Sequence, residues 1–285
     1  MPQAESSKIL IVDGEEATRA ALFPAFRERG WEVESAASAP DALALLQAAW
    51  FDVVLVDFAL AGGDCCEWMR RMRVLRPDAR LVVITAANTP ANVLCAIREQ
   101  AYGYFSKPFS ALGVAELVAQ ALATPSWQDD IELLSARPDW ITLRVRCKLD
   151  AAERLVQFLR EVKMDLAPEQ REDIAAALRE LVFNAIEHGG GSDPQQRIRV
   201  SYIRTSRAVC YHIQDPGPGF SFNRLAHAAV GNPPEEPVRH AEVREEQGVR
   251  PGGFGILLTR NLVDELIYSE KGNEVLFVKY LDKRG

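Results

Sequence analysis

Three short runs in the first half of the chain are apolar at every position: residues 9–12 (ILIV), 53–56 (VVLV) and 81–84 (LVVI). Unbroken apolar runs of this length, bounded by turns, are the pattern of strands buried on both faces. Between and after them, helical patterns occupy residues 17–29, 40–49, 67–75, 91–100 and 111–122. This alternation predicts a doubly wound parallel α/β sheet over residues 1–123, with functional residues gathered at the carboxyl ends of the strands. Residues 124–138 (TPSWQDDIELLSARP) have proline at both edges and acids between, so 124–137 reads as a linker.

A second alternation begins at residues 140–147 and is followed by a helical pattern at 151–162. Residues 171–190 (REDIAAALRELVFNAIEHGG) form a long helical pattern in which Glu180, Asn184 and His188 recur at four-residue intervals and so share a face. Residues 208–213 read as a strand leading into DPGPGF, and PGGFGI opens a further helix near Leu257. The closing strand is 275–279. Residues 223–250, with NPPEEP and REEQGVR, are too polar and proline-rich for a core and read as a lid over a nucleotide site. The second domain is thus expected over 138–285.

The length of 285 residues accommodates two domains, and 48% hydrophobic with 26% charged residues suits chains with packed cores. A net charge of -7 disfavours direct DNA binding. The five cysteines, Cys65, Cys66, Cys95, Cys147 and Cys210, lack zinc-ligand spacing and are expected as reduced thiols packed like small apolar residues. No stretch has the length of a membrane helix, and the opening MPQAESS has neither the basic nor the apolar region of a signal peptide. A cytoplasmic protein without membrane attachment is the expectation.

Candidate chemistry falls at two places. Asp13, Asp57, Thr85 and Lys107 stand at or just beyond strand ends, where they bring two carboxylates, a hydroxyl and an ammonium to one crevice suited to phosphoryl transfer. In the second half, Gly217 and Gly219 let the backbone pass close to a flat ring, and Asp215 can accept a hydrogen bond from an exocyclic amine. Gly252, Gly253 and Gly255 open a helix and would aim backbone N–H groups at phosphates.

The segments ILIVDGEE, VVLVDFAL, VVITAAN and GYFSKPF resemble, in order, those of the receiver domain of response regulators, a flavodoxin-like fold. The resemblance implies Asp57 as phospho-acceptor, Asp13 and Asp57 as Mg²⁺ ligands, Thr85 and Tyr104 as switch residues, Lys107 as the conserved ammonium, and a sensor histidine kinase as donor. The family normally carries two adjacent acids after its first strand, and here the second position is Gly14. FALAGG after Asp57 also lacks the family's Met-Pro. Phosphorylation at Asp57 and a phosphate-independent docking or homodimerisation role both stand.

The later motifs resemble the GHKL superfamily of ATPases, an α/β sandwich, and within it the anti-sigma-factor serine kinases of bacterial partner switching. ELVFNAIEHG, DPGPGF and GGFGILLTRNLVDELIYSEKGNEVLFVKYL carry that likeness. It implies ATP and Mg²⁺ as cofactors, Glu180 as general base, and Asn184 as metal ligand. Asp215 would read adenine, with Gly217, Gly219, Gly252, Gly253 and Gly255 lining the nucleotide. An anti-sigma factor antagonist is the implied substrate and a sigma factor the implied partner. A histidine kinase would need a histidine ahead of residue 138, and the four histidines are His188, His212, His227 and His240. A nucleotide-gated binding module would need Asn184 and the glycines but no base.

Overall fold

The computed structural model describes residues 6–61, 65–162, 166–219 and 255–281. The chain divides into two compact units, Met1–Asp129 and Asp130–Gly285.

In the first unit, strands β1 (Lys8–Val12), β2 (Glu32–Ala36), β3 (Val53–Asp57), β4 (Arg80–Thr85) and β5 (Gly103–Ser106) form a parallel sheet in the order β2-β1-β3-β4-β5. The intervening helices are α1 (Glu16–Arg27), α2 (Ala39–Ala48), α3 (Cys65–Leu75), α4 (Pro90–Arg98) and α5 (Ala111–Ala123). This is the expected doubly wound arrangement. Every residue of β3 is buried, as an unbroken apolar run requires. Ile9, Ile11, Val53, Leu55 and Val82 pack in one core with Leu22 and Phe26 of α1 and Val114 and Val118 of α5.

Helix starts follow local chemistry. The Ser38 hydroxyl accepts from the Asp41 N–H ahead of α2, and the Thr89 hydroxyl from the Asn92 N–H ahead of α4, each with a proline in the first turn where no N–H is needed.

The second unit is a six-stranded antiparallel sheet in the order β10-β11-β9-β8-β7-β6, made of β6 (Ile131–Arg137), β7 (Trp140–Arg146), β8 (Arg197–Arg204), β9 (Ala208–Gln214), β10 (Glu265–Tyr268) and β11 (Glu274–Tyr280). Its helices are α6 (Leu149–Glu161), α7 (Pro168–Asn184) and α8 (Gly255–Leu262), and α7 packs against both of the others. Alternate residues of the strands are buried, among them Ile141, Leu143 and Val145 of β7 and Val209, Tyr211 and Ile213 of β9. Tyr211 stacks on Phe277 of β11 with ring centroids 4.9 Å apart.

Two expectations are corrected here. The stretch 124–137 is no free linker. Trp127 is buried in the first unit's core beneath the Arg80 guanidinium, and 131–137 are β6, paired antiparallel with β7. Prolines at the edges of the segment mark turns, while the apolar side chains between them supply the burial. The cysteines are also not all separate thiols: Cys66 of α3 and Cys95 of α4 are joined as a disulfide, with Cα atoms 5.9 Å apart.

Candidate functional site

The first cluster lies at the carboxyl edge of the parallel sheet. Asp13 follows β1, Asp57 ends β3, Thr85 ends β4 and Lys107 follows β5. Asp13, Asp57 and Thr85 are buried. Each has one side-chain oxygen fixed by an amide two residues on. Asp13 Oδ1 accepts from the Glu15 N–H at 2.7 Å, Asp57 Oδ1 from Ala59 at 2.9 Å and Thr85 Oγ1 from Ala87 at 3.0 Å.

The Lys107 ammonium sits among three carboxyl groups, 2.8 Å from Asp13 Oδ2, 2.8 Å from Asp57 Oδ2 and 3.1 Å from Glu15 Oε2. Burial works against its charge, but bonds to Asp13, Asp57 and Glu15 prevail and hold its pKa above the ordinary lysine range. The same contact with Lys107 lowers the pKa of the exposed Glu15. Tyr104 is fully buried, its hydroxyl donating to Asn88 Oδ1 at 3.3 Å in the loop that leads from Thr85 into α4.

The structure therefore brings Asp13, Asp57 and Lys107 together, with Thr85 and Tyr104 on the adjoining strands. It adds Glu15, whose carboxylate reaches the same ammonium. Gly14 leaves no acid in its place, and a Cβ there would stand 3.2 Å from Leu60 Cδ2. Three carboxyl groups about one ammonium leave surplus acid. Mg²⁺ is usually held by one or two carboxylates, with water and phosphate oxygens completing its shell. Asp13 and Asp57 suit such a site, although no group of three or more His, Cys, Asp or Glu among the described residues is disposed to hold a metal alone.

The second cluster is built where α7 meets the ends of β9 and α8. Asn184, the last residue of α7, donates from Nδ2 to Glu180 Oε1 at 3.3 Å, one turn back. This leaves the amide oxygen of Asn184, outside that bond, as the atom that could meet a metal ion. Helix α7 then widens into a π-turn, Ala185–Gly189. The extra residue breaks the four-residue phase, and His188 is exposed rather than stacked on Asn184.

The π-turn delivers Gly189 onto Asp215 so closely that a Cβ there would lie 2.2 Å from Asp215 Cγ. Asp215 Oδ1 accepts from the Gly217 N–H at 2.8 Å. Asn273 clamps the Asp215 backbone from both sides: its carbonyl accepts the Asp215 N–H at 3.0 Å, and its Nδ2 donates to the Asp215 carbonyl at 3.2 Å. Burial raises the Asp215 pKa, and the Gly217 N–H opposes the rise.

Gly219 has φ +78°, and a Cβ there would stand 1.9 Å from the Lys271 carbonyl oxygen, so the position demands glycine twice over. Gly255, the first residue of α8, lies against the Glu180 side chain, with a Cβ position 1.7 Å from Oε1. A carboxylate thus rests at the positive end of α8, where a phosphate would also be favoured. Thr259, fully buried one turn on, donates to the Gly255 carbonyl at 2.9 Å. Burial and the Glu180 charge together push the nearby Tyr268 hydroxyl far above its usual pKa.

Glu180, Asn184 and Gly255 meet on one side of this cluster and Asp215 and Gly217 on another, with Gly219 at the Lys271 turn. Gly252 and Gly253, and the lid expected at 223–250, lie outside the described residues. Gly189 and Asn273 belong to the cluster without having been anticipated. A glycine packed on an aspartate twenty-six positions away leaves no trace in periodicity, although the HGG ending of the helix is visible.

The histidine kinase-like ATPase domain model matches residues 145–279, and the response regulator receiver domain model matches residues 9–119. Among curated relatives, the alginate biosynthesis transcriptional regulatory protein AlgB of Pseudomonas aeruginosa is 30% identical over 149 residues, 52% of this chain and 32% of AlgB. The photosynthetic apparatus regulatory protein RegA of Cereibacter sphaeroides is 32% identical over 118 residues, 41% of this chain and 64% of RegA. The chain therefore spans from about a third to just under two thirds of the length of these two relatives. A CheY-like receiver domain protein from Methanospirillum hungatei has 26% identity and a TM-score of 0.40, the match covering 42% of this chain and 95% of that one. No helix among the described residues is long and apolar enough to cross a membrane. Residues 9–119 are a response regulator receiver domain and residues 145–279 a histidine kinase-like ATPase domain of the GHKL type, fused in one signal-transduction chain.

Proposed function

We propose that this chain is an ATP- and Mg²⁺-dependent protein serine/threonine kinase that phosphorylates an anti-sigma factor antagonist and, between such events, binds a sigma factor in the cytoplasm. The receiver domain, supplied by a sensor histidine kinase or acting as a docking surface, regulates it. The observation that carries the reading is the Glu180 carboxylate, one turn before Asn184 and against the first residue of α8.

The fit of a nucleotide rests on the glycines. Side chains at 189, 217, 219 or 255 would occupy space held by Asp215, Gly189, Lys271 or Glu180. The backbone there presents an acceptor, Asp215, beside a flat glycine surface suited to adenine and its amine. Asn184 would hold Mg²⁺, whose charge screens the phosphate oxygens during transfer. Glu180 takes the proton from the acceptor hydroxyl as that hydroxyl's oxygen bonds to the γ-phosphorus, while the bond from this phosphorus to the β,γ-bridging oxygen breaks and ADP leaves. A site serving nucleotide binding alone has no need of a carboxylate so placed, and this favours a kinase over a nucleotide-gated binder.

The test is to incubate the purified chain with γ-labelled ATP, Mg²⁺ and candidate antagonist proteins encoded in the same genome. Label on serine or threonine of one antagonist is the expected result. ATP binding with no transfer to any antagonist would replace the kinase by the nucleotide-gated binder.

A further inference from the structure

Cys66 and Cys95 tie together the two helices that leave the phospho-acceptor edge of the receiver. Helix α3 begins eight residues after Asp57 and carries Cys66 in its first turn. Helix α4 begins five residues after Thr85 and carries Cys95 on its buried side. The bridge is one rung of a ladder. Arg70 Nε donates to Glu99 Oε1 at 2.9 Å, and Arg73 donates to Gln100 Oε1 at 2.6 Å. Positions 66, 70 and 73 share a face of α3, and the polar pairs hold that face beside α4.

We infer that Cys66 and Cys95 form a reversible thiol–disulfide switch that restrains the segments carrying Asp57 and Thr85 at their heads. The two thiols differ in the way such a pair requires. Cys66 is partly exposed at the amino end of a helix, where a thiolate is favoured, and Cys95 is 4% exposed and placed to resolve it. With a peroxide as oxidant, the Cys66 thiolate attacks a peroxide oxygen, the O–O bond breaks and hydroxide leaves, becoming water with the proton the thiol gave up, and Cys66 is left as a sulfenic acid. The Cys95 sulfur then displaces the sulfenic oxygen as a second water, and the S–S bond forms. A dithiol reductant reverses this by exchange, itself becoming a disulfide.

The Arg70–Glu99 and Arg73–Gln100 bonds involve neither sulfur, so they can hold the two helices side by side when the bridge is reduced. In a reducing compartment such a bridge is transient rather than a permanent staple. Closure ties residue 66 to residue 95, and the enclosed span contains β4, Thr85 and Asn88. The bridge should therefore limit opening of the loop between Thr85 and α4. This inference does not depend on the kinase reading, since it concerns the receiver domain alone.

The test uses the full chain after hydrogen peroxide or after dithiothreitol, denatured and labelled with a maleimide–polyethylene glycol. Of five cysteines, two belong to the bridge, so the oxidised chain should take three labels and the reduced chain five. Cys66→Ala should take four in both conditions. Cys65→Ser should keep the loss of two labels on oxidation. Hydrogen exchange of residues 86–98 should be slower in the oxidised chain by on the order of tenfold, a difference absent in Cys66→Ala. Five labels after peroxide, or a bridge that requires Cys65, would overturn the proposal. So would a bridge that forms while exchange in 86–98 stays the same.

Discussion

Replacing Gly189 by alanine tests the second cluster at its tightest contact. The added methyl would lie 2.2 Å from Asp215 Cγ and 2.3 Å from Oδ1. Carbon atoms in favourable contact stand about 3.5–4.0 Å apart, so one partner must move by roughly 1.3 Å or more. The Asp215 backbone cannot yield easily, because Asn273 holds both its N–H and its carbonyl. The side chain must rotate, and it then loses the 2.8 Å bond from the Gly217 N–H. A hydrogen bond to a charged group contributes ~1.5–3 kcal/mol, and displacing the carboxylate removes its partner on adenine by a similar amount. Isothermal titration of the full chain with MgATP should therefore show affinity weakened roughly ten- to hundredfold. Overpacking should also lower the thermal midpoint by about 2–10 °C. Gly191→Ala is the control. That residue has φ +61° but nothing within 4 Å of its Cβ position, so the change should strain the backbone slightly and leave ATP affinity intact. A folded Gly189→Ala chain that binds ATP as its parent does would refute the placement of adenine beside Asp215.

Three further outcomes are expected. Glu180→Gln should retain ATP while phosphorylation of the antagonist falls by ~10²- to 10⁴-fold, and equal transfer rates for mutant and parent would remove Glu180 from the mechanism. Acetyl phosphate should label Asp57 weakly, since Gly14 provides no second acid, and Gly14→Asp, whose Cβ would meet Leu60 Cδ2 at 3.2 Å and the Ala37 carbonyl at 3.9 Å, should raise labelling measured by intact mass. Asp215→Asn should weaken ATP binding yet stabilise the unliganded fold at neutral pH. Burial raises the Asp215 pKa, so the native state favours the protonated acid, and that contribution is full below the unfolded-state value and lost as pH rises through the folded one. The urea midpoint of the variant relative to the parent should therefore climb from pH 3 toward neutrality, and a constant difference across that range would contradict the assignment.

The parallel sheet is legible because residues 9–12, 53–56 and 81–84 of β1, β3 and β4 are buried and apolar at every position, the pattern of strands covered on both faces. β6 and β8 are not. Their outer faces carry Glu132, Ser135, Arg199 and Ser201, so only alternate positions are apolar, and in β6 a register shift between Leu133 and Ser135 interrupts even that alternation. Among site residues, Asp13, Asp57, Thr85 and Lys107 were visible because strand ends are predictable, whereas Glu15 entered through the reach of its side chain to Lys107. The Glu180–Asn184 pair follows from helical spacing, but the same spacing fails at His188, because a π-turn begins at Ala185 where a regular helix would continue.

The two domains solve one positioning problem in the same way. Where a strand leaves its sheet, the next amides lose their ladder partners and need acceptors. Asp13, Asp57, Thr85 and Asp215 stand at such exits, and each accepts from the amide two residues on. The bond fixes one oxygen of each carboxylate against the backbone and so sets where the other lies, with little rotamer entropy left to lose when a ligand arrives. The domains differ in what lies against these carboxylates. In the receiver, Lys107 binds Oδ2 of both Asp13 and Asp57, so a cation or phosphoryl group entering there must first compete with an internal ammonium. At Asp215 the pressed neighbours are the glycine backbones of 189 and 217, which carry no charge to displace. Ligand entry at the ATPase site is opposed mainly by desolvation, whereas at the receiver site it is opposed by an ion pair that must open, and this makes Lys107 the residue on which receiver occupancy turns.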